Sequence, residues 1–171
     1  MEVIKEALTF DDVLLVPRYS SVLPSETNLH IDLGNNLKLK LPFLSSAMDT
    51  VTESNMAAAI ATKGGLGIIH RNLSISDQSK EIKKVKNKNL LVGAAVGTSN
   101  DDIIRVKSIL DAGVDLIVID TAHGHSEKVL KALSKIKKIN LKKSICVGNI
   151  ASGEAAVRLY NEGADILKVG I

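Results

Sequence analysis

The chain has 171 residues, 45% of them hydrophobic, and a formal net charge of +3, with no Trp, two Tyr, two Phe and one Cys. That length supports one domain with an aliphatic core, and a single Cys excludes an intrachain disulfide framework. Lys residues scattered along the chain, few aromatics and no apolar run long enough to span a bilayer exclude a nucleic-acid surface and a membrane span, and no secretory segment is seen, so a cytoplasmic protein is expected.

Residues 1–42 stand apart from the rest as a lead-in. Leu8 to Pro17 predicts a short turn and strand ended by proline. Thr27–Leu33 and Leu37–Leu41 predict a β-hairpin around Gly34-Asn35-Asn36. A regular alternation then begins at Pro42 and fills residues 43–171. Apolar strand-like runs fall at Phe43–Ser46, Leu66–His70, Leu90–Val96, Leu116–Asp120, Ile145–Asn149 and Ile166–Val169. Amphipathic stretches between them fit helices at Glu53–Lys63, Ser76–Lys86, Asp101–Ala112, Ser126–Ile139 and Gly153–Glu162. Glycines at the helix-to-strand joints, Gly64-Gly65, Gly113 and Gly163, suit C-caps.

Strand starts about 21 to 29 residues apart match one βα unit of a parallel α/β architecture. An open doubly wound sheet and a (β/α)8 barrel both accept the series. The Gly-x-Gly-x-x-Gly fingerprint is absent after the first strand, where Ser45-Ser46-Ala47-Met48 stands. Small or polar residues follow nearly every strand, as on the active rim of a barrel. The expectation is therefore a TIM (β/α)8 barrel of which this chain supplies the lead-in and about six strands.

Leu116 to His125 reads Leu-Ile-Val-Ile-Asp-Thr-Ala-His-Gly-His. The aliphatic run predicts a strand buried on both faces, closed by Asp120, with Ser126 as N-cap of the next helix. A strand-end carboxylate can accept hydrogen bonds from a ribose diol, or it can simply end the strand. Cys146, within Ser-Ile-Cys-Val, reads as a small core residue, and Lys80 to Lys88 as a solvated helix face and its exit loop. His123 and His125 lack a third ligand, so no metal site is assigned. His70 with Arg71 reads as a strand-end structural pair, and Asp49 with Glu53 as capping and dipole residues at a helix start.

Several stretches taken together resemble the IMP dehydrogenase family. They are Leu8-Thr-Phe-Asp-Asp-Val-Leu-Leu-Val-Pro17, Phe43-Leu-Ser-Ser-Ala-Met-Asp-Thr-Val-Thr-Glu53, Gly64-Gly-Leu-Gly-Ile-Ile-His-Arg-Asn72, Leu91-Val-Gly-Ala-Ala-Val-Gly97, Asp120-Thr-Ala-His-Gly-His-Ser126, Gly148-Asn149 and Lys168-Val-Gly-Ile171. The related GMP reductases usually carry Ala-Asn-Met at the counterpart of Ser45–Met48, and Asn before the glycine at the counterpart of Asp120–His125. This sequence follows the dehydrogenase at both places.

The resemblance implies an oxidoreductase that oxidises IMP to XMP with NAD in guanine nucleotide biosynthesis, through a covalent cysteine intermediate and with a potassium ion. It places Ser46 and Met48 in the IMP pocket. It places Asp120 at the nicotinamide ribose, Thr121 and Ala122 in the adjoining wall, Asn149 beside the nicotinamide, and Gly170 and Ile171 in the loop that contacts NAD. It also implies a homotetramer of the complete protein. Family members commonly insert a pair of CBS modules between the second helix and third strand. Here Lys84-Val-Lys-Asn-Lys-Asn89 passes straight to Leu90, so that insert is absent near residues 87–90. The catalytic Cys, the potassium carbonyls, the flap and the last two barrel strands are expected beyond Ile171, so the 171 residues alone are expected to be inactive. A GMP reductase, and a non-catalytic nucleotide-binding subunit ending at Ile171, stay open as alternatives.

Overall fold

The computed structural model describes residues 8–139 and 142–170. A short antiparallel hairpin, β1 (Ile31–Asp32) and β2 (Lys38–Leu39), precedes the main unit. The main unit then runs β3 (Leu44–Ser45), α1 (Ser54–Thr62), β4 (Leu66–Ile69), α2 (Ile75–Lys86), β5 (Gly93–Val96) and α3 (Asn100–Asp111). It continues with β6 (Leu116–Asp120), α4 (Glu127–Ile139), β7 (Ser144–Ile150), α5 (Gly153–Asn161) and β8 (Ile166–Val169). Strands β3 to β8 form one sheet in chain order, and every neighbouring pair is parallel.

Strand order and helix placement together choose between the two architectures. A doubly wound sheet reverses its strand order and carries helices on both faces; here the order never reverses. Side chains from all five helices, including Ala57, Ile82, Ile109, Leu133 and Leu159, join Ile117, Ile119, Ile145 and Val147 in one core on a single face. Leu116, Val118 and Cys146, one residue out of phase, join a second core on the opposite face. Strand periodicity of two makes the first set the outer wall and the second the lumen of a barrel. The fold is an α/β partial (β/α)8 barrel of six parallel strands, as the sequence predicts.

Local signals explain the element boundaries. Ser74, Ser99 and Ser152 accept the amide hydrogens of Asp77, Asp102 and Ala155, satisfying donors that the first turns of α2, α3 and α5 leave free. At the other ends Gly113 and Gly163, with φ of 92° and 94°, take the left-handed conformation that ends α3 and α5.

The hairpin closes the N-terminal ends of the strands. Asn35 and Asn36 hold positive φ in its turn, which Asn tolerates well. Leu37 and Leu39 are buried in the lumen core against Leu66 and Leu116. Ser144, the first residue of β7, donates its hydroxyl to the Leu33 carbonyl at 2.9 Å and accepts from Asn35 Nδ2 at 3.3 Å.

One expected element is missing. Leu8 to Pro17 forms a single turn of 3-10 helix at Phe10–Asp12 and then no strand. Leu14, Leu15 and Val16 are 95%, 98% and 81% exposed, so the run lies against no sheet edge that could supply ladder partners. A β-favouring composition without a partner strand does not make a strand. Hairpin strands of two residues each, shorter than the predicted runs, follow from the same lack of further neighbours.

Candidate functional site

The C-terminal ends of the strands carry the polar chemistry. In β6 the lumen-facing series is Leu116, Val118, Asp120, so the strand's period sets Asp120 on the inner side at the rim. The Asp120 side chain is about one-quarter exposed, and its Oδ1 accepts from Lys168 Nζ at 2.6 Å. Among the described residues no donor reaches Oδ2. A cleft of about 390 Å³ opens beside it, lined by Ala47, Met48, Asp49, His70, Arg71, Asn72 and Asp120.

The β4 side of this cleft is held by a buried polar scaffold. Gln78, fully buried on α2, donates to the carbonyls of His70 at 3.0 Å and Ala95 at 2.8 Å. Arg105 on α3 donates to Gln78 Oε1 and to the Leu73 carbonyl, each at 3.0 Å. His70 Nδ1 accepts the Asn72 amide at 3.1 Å, which leaves its Nε2 to face Glu53 Oε1 at 3.4 Å. Asn72 Nδ2 donates to Asp49 Oδ2 at 3.0 Å. The side chains of Asp49 and Glu53 therefore brace the β4 loop, contrary to the capping role expected from their spacing; Glu53 is the N-cap residue of α1, but its side chain makes no cap bond. The Ser54 amide at the start of α1 donates instead to Glu81 Oε2 of α2 at 2.9 Å. Four-residue spacing mimics a cap, but tertiary partners took both carboxylates.

Met48 is exposed and shares the cleft with Asp120. Ser46 lies one compartment away, in an apolar cavity of about 260 Å³ walled by Ile68, Val118, Cys146, Ile166 and Lys168. Ala47 borders both cavities. Thr52, fully buried, sets this loop by donating its hydroxyl to the Ser46 carbonyl at 2.6 Å. Thr121 is stitched to β7: its amide and hydroxyl both donate to the Gly148 carbonyl, at 2.9 and 2.8 Å. Ala122 is exposed beside it. Asn149 donates its amide to the Thr121 carbonyl and accepts from the Gly124 amide, each at 2.7 Å, while its buried Oδ1 has no partner. Gly170, with φ of 146°, is exposed and has open space where a side chain would stand. Ile171 lies outside the described residues.

The structure thus brings Met48 and Asp120 into one cleft and Ser46 next to it. Thr121, Ala122, Asn149 and Gly170 share the rim without lining that cleft. Sequence reasoning passed over Lys168, although a lysine inside the strand Ile166–Val169 is itself a signal. Arg71, read from the sequence as a structural partner of His70, and Asn72, given no role there, also border the cleft, in a loop without periodicity. Burial pushes the Cys146 thiol up to about 12, so it stays protonated near neutral pH and is no nucleophile. His123 and His125 stand with ring centroids 6.5 Å apart, edge to face, and among the described residues no three His, Cys, Asp or Glu side chains cluster as a metal site. No helix among those residues is long and apolar enough to cross a membrane.

Fold and rim together define a parallel α/β-barrel protein with a polar cleft at the carboxyl ends of the strands. The model of the IMP dehydrogenase / GMP reductase domain matches residues 7–171. The chain belongs to that family. It is 44% identical over 220 residues to an inosine-5'-monophosphate dehydrogenase of Borreliella burgdorferi, covering 99% of this chain and 54% of the relative. Similar relatives of the same name occur in Cryptosporidium parvum, at 41% identity with 98% and 52% covered, and in Bacillus subtilis, at 30% with 98% and 60%. The chain spans about half the length of these curated relatives. Each matched stretch, 212 to 295 residues, exceeds the 171 residues here, so the relatives carry internal residues that this chain lacks.

Proposed function

We propose that the whole protein oxidises IMP to XMP with NAD, so that IMP, NAD and water become XMP, NADH and a proton. The observation that carries this reading is Asp120: a strand-end carboxylate in a polar barrel cleft, in a chain of this family, with one oxygen that no donor among the described residues reaches. That oxygen suits the hydroxyls of the nicotinamide ribose. Ser46 and Met48, on the loop after β3, contact IMP. Thr121 and Ala122 form the wall beside the ribose. Asn149 lies by the nicotinamide, and its unpaired buried oxygen supports this, because a ligand N–H there would remove an unmet acceptor worth about 1–3 kcal/mol. At Gly170 and Ile171 backbone approaches the cofactor, and the empty space around Gly170 is in keeping with that.

NAD supplies the acceptor for a hydride from the purine. The residues of this chain bind and orient; the attacking group belongs elsewhere in the protein, since Cys146 is a buried thiol. Potassium and a homotetrameric assembly form part of the same proposal. The test is an assay of the whole protein for NADH formed from IMP, with and without potassium. Conversion of GMP to IMP with NADPH, and no oxidation of IMP, would replace this reading by a reductase.

A further inference from the structure

Asp120, Gly148 and Lys168 occupy one level of three adjacent strands. The register pairs Asp120 with Gly148 and Gly148 with Lys168. Two residues below them stand Val118, Cys146 and Ile166, which all pack in the lumen core, so the three share the inner face. The middle position is empty of side chain. A Cβ on Gly148 would fall 2.5 Å from Lys168 Cβ and 2.7 Å from the Lys168 carbonyl oxygen. Glycine there lets Lys168 reach across a whole strand to Asp120 Oδ1, 2.6 Å from Nζ.

A lysine in this place also separates the two cavities. Asp120 faces the polar cleft, while Lys168 lines the apolar one with Val118, Cys146 and Ile166. The ammonium is a point charge and occupies one carboxylate oxygen; a guanidinium fork would take both. We propose that Lys168 is the positioning residue for Asp120: it fixes the carboxylate through Oδ1 and turns Oδ2 toward the cleft for a ribose diol. This rests on the reading of Asp120 as the ribose acceptor. Lys168 acts through Asp120 and touches neither reactant.

The experiment measures KM for NAD and for IMP, and the melting temperature, in the whole protein with Lys168→Met, Asp120→Asn and both together. Lys168→Met should raise KM for NAD roughly tenfold, the scale of one charge-assisted hydrogen bond, and leave KM for IMP within about twofold. In the Asp120→Asn background the same change should do nothing more. Lys168→Arg, which keeps the charge and serves if the Met variant does not fold, should also raise KM for NAD because both oxygens become engaged. An unchanged KM for NAD in Lys168→Met, an equal loss with and without Asp120, or full rescue by Arg each overturns the proposal. A wild-type protein that forms no NADH from IMP overturns the function instead. Calorimetric titration of NAD into the same variants then reads the positioning by itself, and no binding to wild type overturns that too.

Discussion

The two ends of the same six strands are built for different work. At the N-terminal end Leu66 and Leu116 meet Leu37 and Leu39 of the hairpin in an apolar layer, Ser144 is satisfied by Leu33 and Asn35, and the Lys40 and Leu41 amides donate to the Gly64 carbonyl. At the C-terminal end the same lumen-facing register carries Asp120 and Lys168, bordered by Asp49, His70, Arg71 and Asn72. One face of one sheet thus goes from sealed to open over about four residues per strand. Apolar burial at the closed end can offset the cost of partly desolvated charge at the open one. Stability and binding should therefore separate by layer.

The largest effect should come from the closed end. Leu116→Ala empties a fully buried position and should cost about 2–5 kcal/mol of stability. Denaturant unfolding measures this, and KM for NAD and IMP should stay put wherever the variant is folded. A specific rise in KM for NAD would show that the layers are not independent. At the open end, Asp120→Ala should weaken NAD by about 1.5–3 kcal/mol, roughly one to two decades, with little change in unfolding. If NAD kinetics are unaltered, Asp120 is not part of the cofactor site.

Asp102 lies between these cases, on α3 behind the rim. Burial alone would raise its pKa. Hydrogen bonds from the Ser99 side chain, the Gly97 amide and the Ser99 amide, with the charge of Arg71, outweigh that and hold it below the ordinary 3.8. The folded state then binds the proton less readily than the unfolded one. The stabilisation is fully present above the unfolded value and is lost as pH falls through it toward the folded value. Asp102→Ala, which also breaks the capping box with Ser99, should cost about 1 kcal/mol at neutral pH. The difference from wild type should shrink in acid unfolding experiments; a gap that widens below pH 4 would reverse the sign.

Of similar size, Ser144→Ala should lose about 1 kcal/mol, because it leaves the Leu33 carbonyl without its donor at the hairpin. The smallest response is expected midway along the lumen. Cys146 should resist alkylation at pH 8 until the protein is unfolded, since its thiol is buried and pushed up to about 12. Rapid labelling of folded protein would mean that the lumen wall opens in solution.

Most of the architecture was legible in the chain. The boundaries of Leu116–Asp120 and Ile166–Val169 in the sequence match those in the structure, because each is a short apolar run rich in β-branched residues that follows a helix ended by glycine. The other strands and helices shifted by only a few residues, at ends where caps and local hydrogen bonds decide. The barrel followed from the unbroken βα alternation and the small or polar residues after nearly every strand, and the position of Asp120 followed from where its strand stops.

What the chain left open is what depends on neighbours distant in sequence. Leu8 to Pro17 has the composition of a strand, yet strand formation needs a second set of backbone groups, and none among the described residues lies beside it. Asp49 and Glu53 carry helix-start spacing, but Asn72 and His70 reach them first. Lys168 is 48 residues from Asp120 and looks like a stray charge in an apolar run until the register sets both at one level. Gly148 then appears as the gap through which they meet. Residue type and period determined which face each side chain takes, since that needs only the backbone's own repeat. The tertiary structure alone decided which side chains on that face touch, because contact across strands is fixed by register, and register by the packing of the whole sheet.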